Sequence, residues 1–306
     1  MEVNIVILTS YLMRVSASNK LALKHLNCGK EPLEQYLTEL IRISASSYSN
    51  TAPLVWSFLY GHNHGRAELI LDNAPARSAE LLSQDRVDAA LVPVIASQFI
   101  ESVRLIPDVC VGAKSRVRSV CLVTKDEELK NVKSVSLDIS SKTSVVLTKI
   151  IFREFLGFEP EWRNGEPNVE AMLEHSDAAL LIGDPALTVS AAAGRSGTRG
   201  LRSYDLAELW HQHTGLGFIF AMWMTKREKI AIDLAAARDE GLSHIKEIAA
   251  NYAAEIKLTE DEMVKYLTEN ISYSVDKEMG EGLQLFLDLA AKHSLIGRRR
   301  ELVFCT

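Results

Sequence analysis

Leu137-Asp138-Ile139-Ser140-Ser141-Lys142-Thr143-Ser144 runs from the end of a strand, through a hydroxyl-rich turn, into a helix that begins near Val145. Val135 and Leu137 alternate with polar neighbours, whereas Leu147, Ile151 and Phe155 recur every four residues beside Lys149 and Arg153. The apolar period thus changes from strand-like to helical at the serines. The turn is a helix N-terminus, where free backbone N–H groups, the helix dipole and several hydroxyls converge on a place that an anion can occupy. Ordinary capping by one Ser or Thr accounts for the same residues.

Working outward, the same strand-to-helix pattern recurs. Leu40 to Ser46 alternates like a strand, Pro53 suits the first turn of a helix over Leu54 to Tyr60, and Ser47-Tyr48-Ser49-Asn50-Thr51 forms the turn between them. Turns of this kind, at the carboxyl ends of strands, are where open α/β sheets bind ligands. A strand near Glu68 to Leu71, a helix from Ala76 to Gln84 and a strand from Val87 to Pro93 complete a βαβαβ unit. Helix, turn, Asp-Ala-Ala-Leu and strand then appear again at Pro167 to Gly183, so Asp88-Ala89-Ala90-Leu91 has a counterpart in Asp177-Ala178-Ala179-Leu180. Two α/β lobes of like construction follow, with ligands bound between them.

The lobes divide as 40–118 plus 224–306 for the first and 119–223 for the second. The expected hinge strands lie near 118–124 and 217–224. After Thr225 the chain reads as helices over 226–251, 259–267 and 276–294. The stripe of Leu283, Phe286, Leu287 and Ala290 is expected to pack the last helix on the first lobe. Trp210, Tyr266 and Tyr273 are candidates for lining a site, but a buried or half-buried aromatic is usually packing, and packing is the preferred reading.

Composition narrows the function. With 306 residues, 24 % charged and 47 % hydrophobic, the chain suits a globular protein of two lobes. A net charge of −6 and one short basic run, Arg298-Arg299-Arg300, give no footprint for nucleic acid. The four cysteines, Cys28, Cys110, Cys121 and Cys305, lie far apart, which suits a reducing cytosol and argues against a zinc site or a disulfide framework. His211 and His213 lack a third ligand at matching spacing, so no metal is expected. Neither G-x-G-x-x-G after a strand nor G-x-x-x-x-G-K-[ST] occurs, so no nucleotide cofactor is expected either. Gly194 to Gly200 reads as a mobile loop.

Residues 1–39 read as an extension outside the core, mobile or helical. Val3 to Met13 is apolar, but no basic residue precedes it and no small-x-small site follows, so an export signal is poorly supported. Cys28 lacks the small residues that precede a lipid-modified cysteine. No apolar run reaches about eighteen residues, so no membrane span is expected. A cytoplasmic protein is the reading; a homodimer is left open.

Five segments carry a resemblance: Ser47-Tyr48-Ser49-Asn50 with Pro53-Leu54; Arg116-Val117-Arg118-Ser119-Val120; Leu137-Asp138 through Ser144; Asp177 through Leu187; and Tyr204-Asp205-Leu206 through Trp210 to Thr214-Gly215-Leu216-Gly217-Phe218 and on to Trp223. Together, over residues 40 to 295, they resemble the chorismate dehydratase family of the futalosine route to menaquinone. The resemblance implies a two-lobed periplasmic-binding-protein-like type II fold, with a cleft between the lobes and C-terminal helices on the first. It also implies a cytoplasmic lyase that removes water from chorismate to give 3-[(1-carboxyvinyl)oxy]benzoate, without a cofactor. Three positions depart from the family pattern: Ser49 stands for leucine, Lys142 for arginine and Gly217 for proline. Lysine keeps the charge but loses the bidentate fork, and glycine is expected to loosen a hinge.

The positions matching the family's catalytic residues are Asn50 and Ser119, neither of which is a base near neutral pH. The substrate's own enolpyruvyl carboxylate is therefore expected to take the ring proton, with Asp184 as the rival base; Asp184 also suits an N-cap before Pro185. Ser47, Ser141, Lys142, Thr143, Ser144, Asp184, Thr214 and Gly215 are the expected substrate-binding residues. The runner-up reading is a non-catalytic binding protein for a small carboxylate anion.

Overall fold

The computed structural model describes residues 40–125, 128–193 and 200–305. The 1–39 extension, with Cys28, and all but Gly200 of the 194–200 stretch lie outside them.

Two five-stranded sheets share one plan. In the first, β1 (Ile41–Ser46) pairs in parallel with β2 (Ala67–Asp72) and β3 (Ala89–Pro93). An antiparallel strand from the far end of the chain, β10 (Phe218–Thr225), joins β3 to β4 (Arg104–Ala113), giving the order β2-β1-β3-β10-β4. In the second, β6 (Ser134–Asp138) pairs in parallel with β7 (Glu161–Gly165) and β8 (Ala178–Ile182). There β5 (Val120–Thr124) runs antiparallel to both β8 and β9 (Arg202–Asp205), giving β7-β6-β8-β5-β9. β5 lies wholly in the second sheet and β10 wholly in the first, so the chain passes between them before Val120 and again just before Phe218.

The repeated Asp-Ala-Ala-Leu marks equivalent strands, because β3 and β8 each occupy the centre of their sheet and are buried along their whole length. Both aspartates do the same work. Asp88 accepts the Arg42 N–H at 2.7 Å, where β1 begins, and Asp177 accepts the Lys133 and Ser134 N–H groups at 2.9 Å, where β6 begins. Each carboxylate thus satisfies donors that the ladder leaves open.

Helices cover the sheets. α1 (Ala52–Leu59) follows β1 and α2 (Pro75–Ser83) precedes β3, while α3 (Thr143–Ile150) follows β6 and continues into a π-helical turn, Ile151–Leu156. α4 (Val169–His175) leads to β8, α5 (Gly183–Ala193) leaves it, and α6 (Leu206–Thr214) connects β9 to β10. The expected helix over 226–251 is instead two, α7 (Leu234–Ser243) and α8 (Ile245–Ile256), because Asp233 caps a fresh start through the Ala236 N–H and His244 leaves helical geometry. α9 (Glu260–Lys265), opened by a Thr259/Glu262 capping box, runs into a second π-helix, Tyr266–Asn270. α10 (Lys277–Lys292) packs on β10 through Leu283, Phe286, Leu287 and Ala290, all buried as expected. Phe218 joins this core to Trp210 and Phe286 through edge-on ring contacts at 5.3 and 5.0 Å.

β4, β7 and β9 are additions to the expected strands. β4 carries Pro107, a positive φ at Asp108 and two register shifts against β10, which erase its alternation. β7 is a mostly exposed, polar edge strand and β9 has only four residues.

Candidate active site

A cavity of about 70 Å³ lies between the two sheets, and both turns singled out by sequence border it. From the first lobe come Ser46, Tyr48, Asn50 and Thr51; from the second, Ser141, Lys142, Thr143, Ser144 and Gly183. Ser46 rather than Ser47 faces it. Consecutive side chains at the end of β1 point to opposite sides. Ser46 Oγ meets Thr51 Oγ1 at 2.8 Å, while the Ser47 hydroxyl turns out to donate to Asn73 Oδ1 at 2.7 Å. Thr51 Oγ1 in turn lies 3.3 Å from Asn50 Oδ1, which leaves the Asn50 amide N–H groups without a partner among the described residues.

The second turn is shaped by Asp138. Its buried carboxylate accepts the Ser140 N–H at 2.9 Å, the Ser140 hydroxyl at 2.6 Å and the Ile182 N–H at 3.3 Å. Burial raises its pKa, against the pull of these bonds. Ser140 is thereby consumed in the turn and the next hydroxyls are freed for the cavity. No side chain caps α3, so capping does not account for Ser141, Thr143 and Ser144. Thr143 Oγ1 accepts the Ile95 N–H of the first lobe at 3.3 Å. Lys142 stands exposed at the rim and makes no ion pair among the described residues.

Ser119 sits just behind this wall, next to the cavity-lining Val120, and is fully buried. Its approach is held by Asp205, which caps α6 through the Ala207 and Glu208 N–H groups and also accepts the Val117 N–H at 3.1 Å and the Arg118 N–H at 2.6 Å. Those bonds retain Arg118 at φ +63°, a conformation that only the surrounding contacts stabilise. Ser119 O then accepts the Gly183 N–H at 2.8 Å, while its hydroxyl reaches the Val117 carbonyl only at 3.5 Å. Beside Ser119 and Asn50 stands Tyr266, fully buried, with no hydrogen-bond partner for its hydroxyl. Burial holds its pKa well above the ordinary phenol value.

Asp184 stands in the first turn of α5 and reaches across the cleft, accepting the Ser49 hydroxyl at 2.5 Å and the Ser49 N–H at 3.1 Å. Burial raises its pKa, with the Ser49 bonds opposing. Tyr48 crosses in the other direction. Its ring lies over Gly183, where a Cβ would come within 2.6 Å of it, and Gly183 has φ +64°. The lobes are therefore closed on one another in this structure. Thr214 and Gly215 lie outside the cavity: Thr214 Oγ1 bonds the Trp210 carbonyl and the Leu216 N–H, and Gly215, at φ +69°, ends α6. Gly217 is close-packed, since a Cβ there would meet Met279 Cγ at 2.6 Å. Among the described residues no group of His, Cys, Asp and Glu is arranged to hold a metal. His211 Nδ1 lies 3.2 Å from the Leu216 carbonyl, and the His213 ring stacks on Phe155. No helix among the described residues is long and apolar enough to cross a membrane.

Sequence reasoning missed Ser46, Tyr48 and Thr51 and gave Tyr266 to packing. Tyr48 and Thr51 stand within the quoted turn and Ser46 closes the strand before it, all within reach of the strand alternation; Tyr266, more than two hundred residues on, carries no local signal.

Solved structures with the same fold include an Archaeoglobus fulgidus protein (TM-score 0.63, 15 % identity, covering 84 % of this chain and 98 % of that one). Another is the aliphatic sulphonate binding protein SsuA of Escherichia coli (TM-score 0.58, 15 % identity, 85 % and 89 % covered). A third is a Candida albicans gene product described as having the generic periplasmic binding protein structural fold (TM-score 0.60, 11 % identity, 85 % and 92 % covered). The fold is thus the expected periplasmic-binding-protein-like one. At the level of sequence, the chain is 32 % identical over 262 residues to a chorismate dehydratase of Thermus thermophilus, covering 79 % of this chain and 92 % of that protein. Residues 41–292 match the family described as "Menaquinone biosynthesis", and the chain belongs to that family.

Proposed function

We propose that this protein is a chorismate dehydratase, a hydro-lyase that eliminates water from chorismate to give 3-[(1-carboxyvinyl)oxy]benzoate. The observation that carries the reading is that the Asn50 turn of one lobe and the uncapped Ser141–Ser144 helix start of the other border a single cavity. Chorismate carries two carboxylates and a ring hydroxyl next to its ether carbon. The start of α3, with Lys142 at the rim, offers N–H groups, hydroxyls and a positive charge to one carboxylate. Asn50 and Ser119 hold the second carboxylate and the departing hydroxyl.

The elimination makes the ring aromatic, so the enzyme has to steer more than drive. The enolpyruvyl carboxylate of the substrate takes the hydrogen from the ether carbon. The electrons of that C–H bond complete the ring π-system as the C–O bond breaks, and the hydroxyl leaves as water with the proton that the enolpyruvyl carboxyl group gives up again. Asp184 is committed to Ser49, which favours the substrate as its own base. A 70 Å³ cavity is far below the roughly 300–1,000 Å³ of ligand pockets, so residues 119–223 swing away to admit chorismate and close again to exclude water. A cytosolic location goes with this reading.

The test is to mix purified protein with chorismate in the presence of a chelator and follow the product by absorbance and mass. Loss of one water to a meta-substituted benzoate is expected. Tight binding without turnover would turn the reading into that of a carboxylate receptor on the same fold.

A further inference from the structure

The groups around Ser119 have hydrogen-bonding capacity to spare. Tyr266 is 0 % exposed and its hydroxyl finds no partner, although buried hydroxyls are almost always paired. Ser119 Oγ makes its side-chain bond at the 3.5 Å limit, and the Asn50 amide donates to none of the described residues. The side chains of Ser119 and Asn50 are also the polar neighbours of the Tyr266 hydroxyl. Three underused groups, drawn from three distant parts of the sequence, therefore meet at one point behind the cavity.

The backbone there is built to hold the tyrosine. Tyr266 opens the π-helix Tyr266–Asn270, a rare geometry that recurs at functional sites. At the other end of that turn, Asn270 Nδ2 donates to the Arg116 carbonyl at 3.5 Å, which ties it to the segment leading into Ser119.

We propose that Tyr266 is a positioning residue for the dehydration, its hydroxyl linking Asn50 and Ser119 in one hydrogen-bonded chain that aims both at the bound substrate. The proposal rests on the dehydratase reading. In that chain an Asn50 N–H donates to the tyrosine oxygen, which fixes the orientation of the amide. The Tyr266 O–H donates to Ser119 Oγ, which frees the serine proton from the Val117 carbonyl and turns it toward the cavity. The phenol stays protonated throughout, as its burial requires. Neighbouring Tyr273 also has an unpartnered buried hydroxyl, but the groups that act on it are Tyr266 and Cys110, not Asn50 or Ser119, and it lines a different pocket.

The experiment compares wild type, Tyr266→Phe, Ser119→Ala, the double variant and Tyr273→Phe by steady-state turnover of chorismate, with melting curves to choose a temperature at which all are folded. Tyr266→Phe is expected to lower kcat by about 10- to 100-fold with KM changed by less than about threefold. The double variant is expected to lose far less than the product of the two single losses, and Tyr273→Phe to keep the wild-type kcat. Wild-type kcat in Tyr266→Phe, fully multiplicative losses in the double variant, or an equal loss in Tyr273→Phe would overturn the inference and leave the dehydratase reading standing. Absence of turnover in the wild type would overturn both.

Discussion

Asn50 and Ser119 approach from opposite lobes and neither changes its charge near neutral pH, so the work given to them in the proposed function is to hold groups of the substrate in place. Asn50→Ala and Ser119→Ala are each expected to lower kcat by about 10²–10³-fold, the usual loss for one donor to a developing charge, with little change in melting temperature. Asp184 separates the two candidate bases. Asp184→Asn keeps an acceptor for Ser49, so turnover is expected to stay within about threefold of wild type, under 1 kcal/mol. Loss of turnover with chorismate binding intact would instead make Asp184 the base. The same variant reports on burial. A carboxyl whose pKa is raised in the fold stabilises it most when protonated, and loses that contribution as pH rises through the raised value. The asparagine variant is therefore expected to gain melting temperature over wild type at neutral pH, and to lose that advantage below the ordinary carboxylate range.

The turns show which parts of the site a sequence discloses. Leu137 to Ser144 is legible because two apolar periods meet there, and Ser47 to Asn50 because a proline marks the helix that follows. What stays hidden is direction: a shift of one residue at the end of β1 exchanges Ser46 for Ser47. Partnership across the chain is hidden too, as in the reach of Asp184 to Ser49 over 135 positions, or in Tyr266 behind Ser119. β4 escapes notice because its proline and register shifts break the alternation on which detection depends. At Gly183, two demands coincide, a left-handed backbone and the close approach of Tyr48. Gly183→Ala is expected to cost about 1–2 kcal/mol for the backbone alone, and to raise KM because the Tyr48 ring can no longer settle across the cleft. Thermal melts and steady-state kinetics on the same sample check both.

For the molecule as a whole, buried Asp138 and Asp205 and half-buried Asp184 have pKa values raised first of all by desolvation. Their contribution to stability grows as pH falls toward the ordinary carboxylate range. Against them stand Glu154 and Glu159, lowered by hydrogen bonds from Lys292 and Arg153, whose contribution disappears when pH falls below that range. These pairs lie near the surface and are worth little. Maximum melting temperature is accordingly expected on the acid side of neutrality, and a rise that continued from about pH 5 to about pH 8 would contradict the assignment.

Asp205 grips both the start of α6 and the backbone at Val117 and Arg118, so the outgoing chain and the segment that leads home are fastened at one carboxylate. Any swing of the lobes that preserves this clasp has its axle beside Ser119. In the proposed function the lobe that carries Lys142 moves about this point, and substrate capture is decoupled from the alignment of Ser119: the door travels, and the serine has almost nowhere to go.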